Sequence, residues 1–254
     1  MRKYVSEFLG TFILVFCGCG SMLAANFLIG AMGMPIPLAF TTITIALAFG
    51  LTTTMLYYLL KEVSGAHLNP AVSIAVLING GFESKGSFVG YVIAQFAGSA
   101  IGACALWLIT GQRTYLGQNG YGDQSSLYIG MIPAIIVEII ITMIFVLVFL
   151  KVKNSNNENT AAKSIVLGIA TAGLYAMALP FTGASLNPAR SFGPALLLLG
   201  ENIKQLPVFI IAPIVGAIIA AILYNILIEG KAFTMKKDIV REEVEKVEEV
   251  FEEE

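Results

Sequence analysis

The chain reads as an all-α membrane protein with six transmembrane helices and two re-entrant half-helices in an inverted repeat. Three observations carry that expectation. Of 254 residues, 57% are hydrophobic and only 13% charged, against about 25% charged in a soluble domain. Six apolar runs are long enough to cross a bilayer, and two more are only half that length. Each short run opens on a copy of one phrase: Ser64-Gly65-Ala66-His67-Leu68-Asn69-Pro70-Ala71-Val72-Ser73 aligns with Thr182-Gly183-Ala184-Ser185-Leu186-Asn187-Pro188-Ala189-Arg190-Ser191. Seven of the ten aligned positions are identical.

A helix needs about 20 apolar residues to cross the roughly 30 Å hydrocarbon core. Runs 8–29, 38–60, 88–109, 128–150, 164–180 and 206–228 meet or approach that length. Between the second and third lies 70–78, and between the fifth and sixth lies 188–199. At 1.5 Å per residue these cover only about 15 Å, half the core, so they must enter and turn back. The repeat reaches further than the phrase. Span one begins Glu7-Phe8-Leu9-Gly10-Thr11, and span four contains Glu138-Ile139-Ile140-Ile141-Thr142. Each half is three spans plus a half-span; three is odd, so the second half runs upside down, with the functional site near the midplane. The expected division is a channel-like domain over 1–230, with repeats at about 1–110 and 128–230, and a charged tail over 231–254.

Loop charge sets orientation. One side holds Arg2, Lys3, Lys61, Lys85, Lys151, Lys153 and Lys163, the other Arg113 and Lys204. Both termini are therefore expected in the cytoplasm, with the chain multi-pass in the plasma membrane. From Lys231 onward, five basic and nine acidic residues make the tail acidic. Val240, Val244, Val247 and Phe251 fall at helical spacing there, compatible with a short amphipathic helix or a solvated tail. Gly98 and Gly102 form a Gly-x-x-x-Gly pair, which lets helix backbones approach in a membrane.

Several function classes fall away. No basic patch supports nucleic-acid binding. The single histidine, His67, and the scattered Cys17, Cys19 and Cys104 argue against a metal centre or disulfide framework. No nucleophile–base pair points to an enzyme, and no cofactor is expected.

Asparagine is a favoured N-cap and proline a favoured first helical residue, so Asn69-Pro70-Ala71 and Asn187-Pro188-Ala189 each start a helix. Inversion brings the two N-termini to the midplane from opposite sides, each with about half a positive charge. Gly65, Ala66, His67, Gly183 and Ser185 must be non-helical at membrane depth. Such backbone is tolerated where it is buried or lines a wet cavity, and its carbonyls would offer a ladder of acceptors to a small polar permeant. Arg190 follows the second motif while Val72 follows the first, and an intramembrane arginine is a functional candidate by default. Glu7 and Glu138, related by the repeat, are expected to hold the irregular loops by accepting backbone hydrogen bonds.

Taken together, the paired Asn-Pro-Ala motifs, Arg190, Glu7 and Glu138 resemble the aquaporin and glycerol-facilitator family of major intrinsic proteins, over essentially all of 7–228. The resemblance implies an aquaporin-like bundle assembled as a homotetramer, with one pore per subunit. It also places the family's narrowest point on Phe49, Tyr175, Ala184 and Arg190. Water-specific members typically have histidine at the Tyr175 position. Glycerol facilitators have glycine there, tryptophan at the Phe49 position and an aromatic residue at the Ala184 position. This sequence matches neither set. Ser191 and Ala195 favour the water side, whereas Ile210 stands where many water channels have tryptophan. The pattern is that of an atypical, archaeal-type aquaporin.

The expected activity is passive, single-file conduction of water with exclusion of protons and ions; glycerol or another small neutral solute is the alternative. A Tyr175 ring pointing into the pore would favour water, and a ring swung aside would admit glycerol. A coupled secondary transporter would share the inverted repeat but needs an ion-carrying group at the centre, where only Asn69 and Asn187 stand. A junctional membrane protein with a closed pore is the remaining class.

Overall fold

A computed structural model describes residues 1–32, 38–111 and 114–230. The amphipathic reading of the tail and the loop cation Arg113 lie outside the described residues. Helices α1 (Arg2–Met32), α2 (Leu38–Ser64), α4 (Lys85–Thr110), α5 (Met131–Lys153), α6 (Thr160–Thr182) and α8 (Gly200–Leu223) are the six long ones. All six are long and apolar enough to cross a membrane. Helices α3 (Pro70–Ile78) and α7 (Pro188–Leu198) are the two half-spans. A 3₁₀ turn (Gly122–Gln124) sits in the α4–α5 connection, and a π turn (Tyr224–Ile228) ends the last span.

The boundaries have local causes. Asn69 and Asn187 are extended N-caps whose side chains accept from Ala71 N and from Ala189 N and Arg190 N, with proline at the first helical position of each. Ser84 caps α4 through Ser87 N, and Asn159 caps α6 through Ala162 N. Gly111 and Gly183 end α4 and α6 in the left-handed conformation, which glycine adopts without a Cβ penalty. The fifth span runs longer than its apolar stretch of 164–180, because the Asn159 cap and polar first turn extend the helix backwards.

Small residues fix how the helices meet. A Cβ on Gly98 would collide with Phe8 O and crowd Phe12 N, and Gly102 lies against Phe12 O and Val15, so α4 packs backbone-to-backbone on α1. Gly216 of α8 meets Ile139 O and Met143 N of α5 in the same way. Phe8 and Ile139 each follow a motif glutamate, so the two contacts are copies of one another. Across the pseudo-two-fold, Gly50 of α2 and Gly168 of α6 lie against each other's carbonyls. That crossing places Phe49 and Tyr175 opposite each other.

Two buried clusters result, one on each side of the level where α3 and α7 meet. The first gathers Val15, Met22, Ile45, Phe49, Tyr175 and Leu179. The second gathers Leu56, Tyr57, Leu68, Phe149, Leu150 and Tyr224. Outward, Ile43, Leu51, Ile93, Ile132 and Ile169 remain exposed, as a lipid-facing belt requires. Six spans put residues 1 and 230 on one face, called here the near face; the α4–α5 connection caps the far face.

Candidate functional site

The site begins with two strained loops. In 65–69, Gly65, Ala66 and Leu68 take φ of 82°, 49° and 51°; in 183–187, Gly183, Ala184 and Leu186 take 75°, 51° and 54°. Non-glycine residues in this region cost about 1–3 kcal/mol each unless surrounding structure imposes it. A buried carboxylate does so in each loop. Glu7 Oε1 accepts from His67 N at 3.0 Å and Ser64 Oγ at 2.7 Å, and Oε2 from Leu68 N at 2.6 Å and Gln95 Nε2 at 2.7 Å. Glu138 Oε1 accepts from Ser185 N at 2.9 Å and Thr182 Oγ1 at 2.6 Å, and Oε2 from Leu186 N at 3.1 Å. Charge-assisted bonds to ionised groups contribute about 1.5–3 kcal/mol each, enough to hold both loops. Thr11 and Thr142 are buried nearby, yet their hydroxyls make no hydrogen bond. The glutamate acts without its threonine neighbour.

The loops then tie to each other crosswise. Asn69 Nδ2 donates to Leu186 O at 2.8 Å, and Asn187 Nδ2 donates to Leu68 O at 2.8 Å. A side-chain amide has two N–H groups. One from each asparagine is therefore committed to the opposite loop, and one remains for the space between. The Leu68 and Leu186 carbonyls were not among those the sequence nominated. Nor are all the nominated ones free: Gly183 O accepts from Arg190 Nη2 and Ser185 O from Tyr175 Oη, each at 3.4 Å.

The four residues at the expected constriction do come together. Phe49, Ala184 and Arg190 are 0% exposed and Tyr175 is 3% exposed. The Phe49 and Tyr175 rings stack with centroids 3.9 Å apart at 19°, and the Arg190 guanidinium lies 5.4 Å from the Phe49 centroid. Tyr175 is thus turned inward onto Phe49, the rotamer that narrows the passage.

Arg190 has anchors the sequence did not suggest. Its Nη1 donates to Asn119 Oδ1 at 2.6 Å, and Nη2 contacts Met22 Sδ at 3.1 Å. Asn119 also accepts from Ser191 Oγ at 2.8 Å and donates to Thr182 O at 3.1 Å. Nothing in a lone Gln118-Asn119-Gly120 signals that role, because its target lies 71 residues away. Arg190 Nε has no partner. A buried unsatisfied donor costs about 1–3 kcal/mol, more when charged, whereas an aromatic stack adds about 0.5–1.5 kcal/mol beyond its area.

Cavities lie on either side. An inner one of about 50 Å³ is bordered by Asn69, Asn187, Ala66, His67, Phe49 and Tyr175. A far-face vestibule of about 200 Å³ is bordered by Met22, Asn26, Thr42, Ile45, Leu179 and Gly183. The near-face vestibule, about 270 Å³, reaches His67 and Gly65 and includes Lys3, Lys61 and Lys153. There Lys3 Nζ pairs with Glu83 at 2.9 Å, and that hydrogen bond holds the Glu83 carboxyl below the usual carboxylate range. His67 packs among Phe82, Tyr91 and Phe149 and bonds Ser73 Oγ through Nδ1 at 3.2 Å. Among the described residues, no group of three or more metal-ligating side chains occurs.

Known proteins agree with this geometry. The family described as "Major intrinsic protein" matches residues 1–224. A "Glycerol uptake facilitator protein-like 6" of Lactiplantibacillus plantarum is 38% identical over 87% of this chain and 95% of its own length. An "Aquaporin Z" of Rhodopseudomonas palustris is 34% identical over 89% and 93%. Among solved structures, the aquaglyceroporin from Plasmodium falciparum superposes with a TM-score of 0.77 at 26% identity, covering 89% of this chain and 96% of that one. The chain belongs to the major intrinsic protein family, a family of membrane channels for water or small solutes such as glycerol.

Proposed function

We propose that the chain is a passive channel that conducts water in single file and excludes protons and ions, with Phe49, Tyr175, Ala184 and Arg190 as its selectivity constriction. The observation that carries the choice of water is the Tyr175 ring lying on Phe49. With Tyr175 turned onto that side of the pore, its ring occupies lumen that a three-carbon polyol would need even when it stands off Phe49 far enough to pass a water.

Proton exclusion follows from Asn69 and Asn187. A water between them turns its oxygen toward the remaining amide N–H groups and the positive ends of α3 and α7. Its own hydrogens then point away along the pore, and a hydrogen-bonded chain able to relay protons is interrupted. The carbonyls of Gly65, Ala66 and His67 serve as acceptors along the remainder, with the second lone pairs of Gly183 O and Ser185 O, which already accept from Arg190 and Tyr175; Glu7 and Glu138 keep both loops in place. Pro70, Ala71, Pro188 and Ala189 set the starts of the two half-helices.

A homotetramer in the plasma membrane with both termini in the cytoplasm completes this reading. The orientation is supported by the excess of lysine on the near face, including Lys61, Lys85, Lys151 and Lys163.

Glycerol or another small neutral solute is the second reading. It is favoured by the small side chain of Ala184 at the expected constriction, and relatives carry both kinds of name. Stopped-flow light scattering on proteoliposomes separates the two. Fast shrinkage in a sucrose gradient, without rapid re-swelling in glycerol, is the expected result. Rapid re-swelling would make glycerol the permeant.

A further inference from the structure

The far-face vestibule and the inner cavity have no bordering residue in common. Ile45 and Leu179 border the vestibule; one turn further along the same helices, Phe49 and Tyr175 border the inner cavity. The stacked rings are therefore what separates the two spaces. Arg190, whose guanidinium a permeating water should touch, has no exposed surface at all, and its Nε lacks a partner. A pore open at this level would hydrate that N–H.

The two rings are not equally held. Phe49 is backed by α1, where its ring fills the space a Cβ on Gly18 would need, and it carries the Arg190 guanidinium at 5.4 Å. Tyr175 Oη makes a long hydrogen bond, 3.4 Å to Ser185 O, and also meets the Arg190 side chain. Its neighbours in the same cluster include the small residues Ala178 and Ala184, and its ring already forms part of the inner cavity wall.

We propose that Phe49 and Tyr175 form a shutter, Phe49 the fixed leaf and Tyr175 the moving one, so that the pore conducts only while the rings are parted. This rests on the channel reading above and adds to it that the selectivity constriction is also the gate. A small parting moves Tyr175 off the Phe49 face toward the inner cavity while its ring stays in the lumen, so that a water fits and a three-carbon polyol does not; it brings water to the Arg190 guanidinium and joins the two cavities. With both forms populated, the flux per channel is the open-channel flux multiplied by the open fraction.

The test is osmotic water flux per reconstituted channel, measured over a range of temperatures, for the wild type, Tyr175→Ala and Tyr175→Phe. If the closed form dominates by about ten to one, removing the moving leaf raises flux about tenfold and flattens its temperature dependence. Tyr175→Phe keeps the packing and loses the hydroxyl's ties to Ser185 and Arg190; it raises flux by a smaller factor of about two to three. It therefore tests the shutter even if Tyr175→Ala fails to fold. Equal flux and equal temperature dependence in wild type and variants would overturn the shutter and leave the water channel standing. No flux in any of the three would sink both readings. Flux in the variants alone would support a wild-type shutter that stays shut.

Discussion

In the first motif loop Ala66 and Leu68 take φ of 49° and 51°, and in the second Ala184 and Leu186 take 51° and 54°. Each loop hangs from one buried glutamate, caps one half-helix with one asparagine, and lends one carbonyl to the other loop's asparagine. The surroundings then diverge. Val72 follows the first motif and Arg190 the second. Arg190 is held by Asn119, from the α4–α5 connection that lies between the repeats, and by Met22 of α1. Gln95 reinforces the first carboxylate only. The duplicated parts build a scaffold able to hold two half-helices nose to nose. The unduplicated parts supply the charge and fix where it points, so on the channel reading proposed above selectivity belongs to the part where the repeat breaks down.

The shared part is the place to strike first. In Glu138→Gln an amide N–H₂ replaces an oxygen that accepts from Leu186 N or from Ser185 N and Thr182 Oγ1, and a donor then faces a donor. A loss of about 3 kcal/mol in unfolding free energy is expected. Glu7→Gln should cost less, about 1–2 kcal/mol, because Gln95 can answer it. Gln95 Oε1 is buried without a partner; flipping that amide lets it accept from the side-chain amide introduced at position 7 and from Ser73. Denaturant unfolding of the two variants in the same detergent reads the difference. Equal losses would mean that Gln95 is no reserve and that the two cradles are equivalent after all.

Arg190→Val makes the second loop a copy of the first. A unit charge at about 5 Å with an effective dielectric near 20 repels a passing cation by about 3 kcal/mol, roughly a hundredfold in rate. Proton entry into vesicles loaded with a pH-sensitive dye should rise by up to that factor. An unchanged proton flux would transfer the whole of exclusion to Asn69, Asn187 and their helix ends.

How far the sequence foretold this differs between scaffold and filter. The six spans, both half-helices and the inversion were legible, because each rests on local patterns of length, capping and repetition. Glu7 and Glu138 were legible as a pair because the repeat marks them. The Gly98–Gly102 pair was legible, but its counterpart at Gly216 was not, since one glycine in an apolar helix is no pattern. Asn119, Met22 and Gln95 were invisible for a common reason. Each reaches its partner across a long stretch of chain, and such contacts leave no spacing to read. The Tyr175 rotamer was open as well; it follows from the Gly50–Gly168 crossing and the Gly18 notch under Phe49, which are tertiary facts.

The smallest effects test how Arg190 is aimed. Asn119→Ala removes an acceptor from both Arg190 Nη1 and Ser191 Oγ and leaves Thr182 O without its side-chain donor. A loss of about 1–2 kcal/mol in stability, together with a several-fold rise in glycerol permeability, is expected as the guanidinium loses its fixed position. Met22→Leu removes a thioether, which is only a weak acceptor, and keeps nearly the same volume, so less than about 1 kcal/mol should be lost. Asn119→Asp supplies a charged acceptor beside the guanidinium and should restore the exclusion of glycerol that alanine gives up. If leucine at 22 loosened the filter as much as alanine at 119, then packing around the guanidinium, rather than the Asn119 carbonyl, would be what aims it.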